Sequence, residues 1–175
     1  MSLNKKNKYN DGPLSGILVI DASQGIAGPS CGSTLASYGA RVIKIDPPQG
    51  DWCRAIGQAY GTLTPYSVVY NRGKESVVLD LKDPNDLETL YALVAEADIF
   101  LESSRPGVAA KIGIDYEALL NKNPSLIYLS VSGFGQKGPY ATRPCTDGAA
   151  QAFSGLASTN VGLDGQAHKL DLPIS

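Results

Sequence analysis

Apolar residues in this chain come in short clusters separated by turn residues, and two kinds of cluster alternate. Gly16–Asp21 (GILVID) is a compact apolar run between turn residues, the pattern of a strand buried on both faces. Residues 28–39 (GPSCGSTLASYG) open with Gly-Pro, close on Gly39 and are rich in small side chains, which predicts a short helix. Arg41–Asp46 (RVIKID) follows as a strand stopped by Pro47 and Pro48. These three pieces form a β-α-β unit with parallel strands and a right-handed crossover. The Gly-rich stretch 49–63 reads as an irregular surface loop. Glu75–Leu81 is a third strand. Pro84–Ala95 is an amphipathic helix, with Leu87, Leu90, Leu93 and Val94 at helical spacing and Pro84 and Asp86 in its first turn. Asp98–Glu102 and Leu126–Val131 are the fourth and fifth strands, with a short helix through Tyr116–Leu120 between them. Asp147–Leu156 reads as a helix of small residues, followed by a polar, weakly patterned segment. The alternation predicts an α/β fold: an open, mostly parallel Rossmann-like sheet with helices on both faces. Ligands on such sheets bind outside the carboxyl ends of the strands.

Composition narrows the function. The chain has 175 residues with 15 basic and 17 acidic side chains, a net charge of −2 that gives no electrostatic case for nucleic acid. No apolar run approaches the roughly 18 residues of a membrane span, and the first residues lack a signal-peptide core. A cytoplasmic protein without a membrane partner is therefore expected. Residues 1–12, which carry Lys5, Lys6 and Lys8, read as a disordered tail, and 13–175 as the folded part. Cys31, Cys53 and Cys145 are odd in number and form no CxxC pair, so they read as reduced thiols. His168 is the single histidine, and no metal site is expected.

One motif is tempting. Gly133-Phe134-Gly135-Gln136-Lys137-Gly138 matches GxGxxG and follows a strand. A dinucleotide fingerprint must also open a helix whose N-terminus holds the pyrophosphate, and here Pro139, Tyr140 and Pro144 follow in a loop. The first β-α turn, Gln24–Pro29, lacks the pattern. A nucleotide-dependent oxidoreductase is thus the weaker reading.

Eight segments, in order over residues 13–155, resemble the N-terminal half of the class III CoA-transferases. That family includes formyl-CoA transferase, carnitine CoA-transferase and α-methylacyl-CoA racemase. The segments are Pro13-Leu14-x-Gly16 with ILVID; Ala27-Gly28-Pro29; Tyr38-Gly39-Ala40-x-Val42 through Asp46; and Asn71-x-x-Lys74-x-Ser76 with Leu79-Asp80-Leu81-Lys82. They continue with Ala97 through Glu102 and Arg105-Pro106-Gly107; Asn123-Pro124-x-Leu126-Ile127-Tyr128; Ser132 through Gln136 with Gly138-Pro139-Tyr140; and Gln151 through Gly155.

The resemblance implies an enzyme that moves CoA between an acyl-CoA and a carboxylic acid through an aspartyl mixed anhydride, with coenzyme A as co-substrate and no metal. It implies that 13–175 is the N-terminal part of a large CoA-binding domain within an interlocked homodimer. By family position, Gln24, Gly25, Ile26 and Ala27 would lie along the cofactor, and Lys74 near its adenosine end. Ser103, Ser104 and Arg105 would stand beside the pantetheine or phosphates, and Lys111 at a phosphate. The family's basic residue after the second strand is replaced by Pro47-Pro48, which implies either fewer phosphate contacts or their supply by Arg41, Arg54 or Arg105. Asp147 matches an acidic position lining the family's site, where it would support the nucleophile; capping the following helix is its other reading. Asp171 is the nearest carboxylate to the nucleophile's position but lacks the following glycine, so the nucleophile is expected beyond Ser175 and the 175-residue chain is expected to be inactive alone. Thr146 stands where the racemase branch has its histidine base, which disfavours racemase. The wording of the Gly133 and Gln151 segments leans towards carnitine-type transferases. An inactive CoA-binding module is the remaining alternative.

Overall fold

The computed structural model describes residues 3–6 and 11–170. The chain divides into two compact units, Met1–Val131 and Ser132–Ser175.

The first unit is built on five parallel strands: β1 (Leu18–Asp21), β2 (Arg41–Asp46), β3 (Glu75–Val78), β4 (Ile99–Glu102) and β5 (Ile127–Ser130), in the spatial order β3-β2-β1-β4-β5. Position in the sheet explains the composition of each strand. Central β1 is buried at every residue and is therefore continuously apolar up to its terminal Asp21. The edge strands β3 and β5 alternate, with Val78, Ile127 and Leu129 exposed on one face. In register, Ile20 lies between Ile43 and Phe100, which places the largest core side chains in the middle of the sheet.

Helices cover both faces, as the alternation predicts. Helix α1 (Ala27–Ser37) lies over Val19, Val42 and Leu101. The opposite face carries Ile20, Ile43, Ile45 and Phe100, packed with Leu90 and Val94 of α3 (Pro84–Glu96) and Leu119 of α5 (Tyr116–Leu120). Two helices were not expected. One is α2 (Pro65–Asn71), which starts with a capping box between Thr64 and Ser67 and has a proline at its first position. The other is the single turn α4 (Val108–Lys111). The stretch 49–63 also contains a 3₁₀ turn, Trp52–Ala55, N-capped by Asp51. Within the segment read as a tail, Lys5 forms a 2.9 Å ion pair with Asp98, and Lys6 bridges to Ala40.

Asn123 holds the end of α3. Its amide donates to the carbonyls of Val94 (3.0 Å) and Ala97 (2.7 Å), and its Oδ1 accepts from the backbone N–H (3.1 Å) and hydroxyl (2.8 Å) of Ser125. The side chain is buried, so its removal strands the Ala97 carbonyl away from water, while the Val94 carbonyl keeps the Ala97 N–H (3.1 Å). Asn123→Ala should therefore destabilise the unit by about 2 kcal/mol, measured by urea unfolding; a loss within ~0.5 kcal/mol would show that water replaces the amide.

The second unit holds α6 (Asp147–Phe153), a 3₁₀ turn at Leu156–Thr159 and an isolated bridge between Val161 and Ala167. No helix among the described residues is long and apolar enough to cross a membrane.

Candidate functional site

The strand order reverses direction between β1 and β4: the chain winds outward from β1 to β3, then returns to place β4 on the other side of β1. The carboxyl ends of β1 and β4 therefore border the crevice where open α/β sheets take their ligands. Two loops leave it, one after Asp21 and one after Glu102. Ser103 ties them together. Its Oγ accepts the N–H of Gln24 (2.9 Å) and donates to the Gln24 carbonyl (3.2 Å).

Two buried ion pairs support the loop after β1. In the first, Lys74 Nζ lies 2.7 Å from Asp21 Oδ2, with side-chain exposures of 1% and 0%. The same ammonium donates to the Pro29 carbonyl (2.8 Å) and to Asn71 Oδ1 (3.3 Å), while Asp21 Oδ1 accepts the N–H (3.0 Å) and hydroxyl of Ser23. In the second, Lys44 Nζ meets Asp51 Oδ2 at 3.0 Å and donates to the Ser23 carbonyl. Asp51 Oδ1 accepts the N–H of Gly25 (2.9 Å) and of Cys53 (3.0 Å). The loop is thus fixed from below before any ligand arrives.

This electrostatic arrangement also sets the thiols. Burial pushes Cys53 up to about 11, with Asp51 adding to the effect, and burial beside Asp21 raises Cys31 as well. Both remain thiols near neutral pH and neither is an activated nucleophile. Burial lowers the Lys74 ammonium from its ordinary value, and Asp21 opposes that shift.

Beside the second pair, on the face of β2 and β3, a cavity of about 300 Å³ is lined by Asp46, Arg54, Arg72 and Ser76 among others. Arg54 approaches Asp46 to 3.5 Å, and the Ser76 hydroxyl donates to the same carboxylate at 2.7 Å.

The residues expected to hold a cofactor are brought together in part. Gln24, Gly25 and Ile26 form the loop at the end of β1 and Ala27 opens α1; Ser103 meets the loop from the end of β4, and the N–H of the adjacent Ser104 donates to the buried Glu102 (2.7 Å). Arg105 and Lys111 are exposed farther along that connection. Lys74 is placed differently. Its ammonium, expected near the adenosine end of the cofactor, is turned inward and engaged by Asp21. Arg41, offered as a substitute cation, is engaged by Glu75 at 2.8 Å. The sequence motifs do not single out Lys44 and Asp51, which hold this loop. The signal for Lys44 was present: a lysine inside the apolar run Val42–Ile45 needs a buried partner.

In the second unit, Thr146 caps α6 by accepting the N–H of Ala149 (3.4 Å), so Asp147 is the first helical residue rather than the cap. Its carboxylate accepts from Gln151 (2.5 Å). Gln151 is buried and exchanges two hydrogen bonds with the backbone of Leu170 (2.7 and 3.0 Å). Asp171 lies outside the described residues. Gly133–Gly138 forms turns with no helix before α6, so the phosphate-holding helix of a dinucleotide site is missing there. Phe134, Tyr140 and Phe153 pack edge-on or tilted at 5.1–5.8 Å. His168 is half-exposed, 3.0 Å from Asp164. Among the described residues no group of three candidate ligands could hold a metal ion.

Comparison with known proteins bears on this geometry. The family model for CoA-transferase family III matches residues 14–175. The acetyl-CoA:oxalate CoA-transferase of Acetobacter aceti is 47% identical over 146 residues, covering 83% of this chain and 38% of that protein. The succinate–glutarate CoA-transferase of Agrobacterium fabrum is 41% identical over 171 residues, covering 93% of this chain and 43% of that protein. The crystal structure of Rv3272 from Mycobacterium tuberculosis superposes with a TM-score of 0.85 at 34% identity, over 94% of this chain and 46% of that one. The chain thus spans less than half the length of the relatives it matches. Sequence motifs, strand order and family model agree: the chain belongs to CoA-transferase family III.

Proposed function

We propose that the protein carrying this chain transfers CoA from an acyl-CoA to a small dicarboxylic acid, and that the first unit binds the CoA. The observation that carries the reading is the crevice between β1 and β4, whose Gln24–Ala27 loop is spliced to Ser103 and held by two buried ion pairs. Backbone groups of both loops line the pantetheine arm, and the exposed Arg105 and Lys111 meet phosphates. An aspartyl mixed anhydride carries the acyl group. Asp147, in the second unit, supports that nucleophile. Oxalate and glutarate in the names of the two relatives support a dicarboxylic acceptor over the carnitine-type one that the motif wording suggested. Thr146 argues against the racemase branch, since a hydroxyl is no base near neutral pH. The full-length protein works as a homodimer.

Calorimetric titration tests the binding half. CoA should bind this chain at least about tenfold more tightly than NAD, a difference of ~1.4 kcal/mol; tighter NAD binding would overturn the reading. Assay of the full-length gene product with succinyl-CoA and acetyl-CoA against oxalate, glutarate and carnitine tests the acceptor. Turnover with carnitine alone would reverse the assignment.

A further inference from the structure

Gly25 lies under an aromatic ring. Its φ is +82°, and a Cβ built there would stand 2.0 Å from Cζ2 of Trp52, so the indole rests directly on the backbone of the β1 loop. Trp52 is 53% exposed, and its indole N–H has no partner among the described residues. Its position is fixed from both sides, because Asp51 accepts the N–H of Gly25 and of Cys53 with one oxygen. The Cys53 carbonyl in turn accepts the Thr64 hydroxyl at 2.9 Å, which roots the turn in the cap of α2. A half-exposed apolar ring resting on Gly25, at the carboxyl end of β1, is a contact surface beside that loop.

The surrounding charge says which part of a ligand it suits. Lys44 and Lys74, the cations behind this loop, are buried in ion pairs, and Arg54 is turned towards Asp46. The exposed Arg105 and Lys111 lie on the β4 side. Among the described residues, the surroundings of Gly25 therefore offer an apolar face, a free N–H donor and no free cation. The uncharged pantetheine arm, with methylenes, a dimethyl group and two amide carbonyls, matches that set, and phosphates do not.

We infer that Trp52 contacts the pantetheine arm of CoA as one wall of this crevice, and that Asp51 with Lys44 are positioning residues that hold the wall against Gly25. The inference rests on the proposed binding of CoA.

Trp52 is the single tryptophan, so its emission reports on this spot alone. CoA should shift or quench it, whereas adenosine 3′,5′-bisphosphate, the nucleotide end without the arm, should leave it unchanged. Trp52→Ala should raise the Kd for CoA about tenfold and leave that of the bisphosphate within about twofold, while Trp52→Phe, which keeps a ring, recovers most of the loss. Equal losses for both ligands, or an unchanged Kd for CoA, would overturn the contact. Calorimetric failure of the wild type to bind CoA would instead overturn the CoA reading itself. The positioning half needs no ligand. Lys44→Met with Asp51→Leu leaves no unpaired buried charge but removes the acceptor, and should raise acrylamide quenching of Trp52 about twofold. Lys44→Met with Asp51→Asn keeps an acceptor for Gly25 and should quench like the wild type. Identical quenching in the wild type and both double variants would overturn the positioning role.

Discussion

Lys74→Met should destabilise the first unit by about 3–5 kcal/mol, because it leaves the fully buried carboxylate of Asp21 without its cation. The Pro29 carbonyl and Asn71 lose a donor at the same time. A mutation confined to packing would behave differently, since Met replaces most of the lysine's apolar stem. The measurement is the urea midpoint of the single variant beside that of Lys74→Met with Asp21→Asn. The second change removes the stranded charge and keeps an acceptor for Ser23, so the double variant should recover more than half of the loss. A single variant within ~1 kcal/mol of wild type would mean that water reaches Asp21.

Gly32→Ala should lower stability by about 2 kcal/mol, against the expectation from helix propensity. In the interior of an exposed helix the same change gains roughly 1 kcal/mol. Here α1 lies directly on the ion pair: an added Cβ would stand 2.5 Å from Asp21 Oδ2 and 3.0 Å from Lys74 Nζ. Neither atom can yield, because Asp21 is held by Ser23 and Lys74 by Pro29 and Asn71. Relief comes only by lifting the helix, and overpacking of this kind costs about 1–3 kcal/mol before any loss of the ion pair. A stabilised variant would show that α1 is free to shift on the sheet.

The fold was legible where one strong pattern ruled a segment. β1, β2, β4 and β5 are close to their expected bounds, because each is a compact, largely apolar run between turn residues. α2 was hidden although its signal was printed in the chain: Thr64-Pro65-Tyr66-Ser67 is a capping sequence, but it follows a Gly-rich stretch and carries Val68 and Val69 on an exposed side. The site was legible only in outline. Residues 24–27 and 103–105 could be placed at strand ends from the sequence, and the family resemblance named them. What holds them could not be read, because Asp51 and Lys44 meet through the return of a loop whose path no local pattern records. Lys74 shows the limit most clearly. A lysine beside Gly73 reads as solvated, and only the three-dimensional position of Asp21 turns it inward.

The register of β1 with β4 bears on how the sheet is made. Leu18 and Asp98 are 80 residues apart, yet the N–H of one donates to the carboxylate of the other at the start of that pairing. During synthesis at about 5–20 residues per second, one edge of β1 stays open for roughly 4–16 s after the strand emerges. β2 and β3 can close the other edge meanwhile, through local crossovers. A sheet of β1, β2 and β3 formed in that interval would leave the Leu18–Asp21 edge unpaired, an apolar template open to a mispairing strand until β4 emerges.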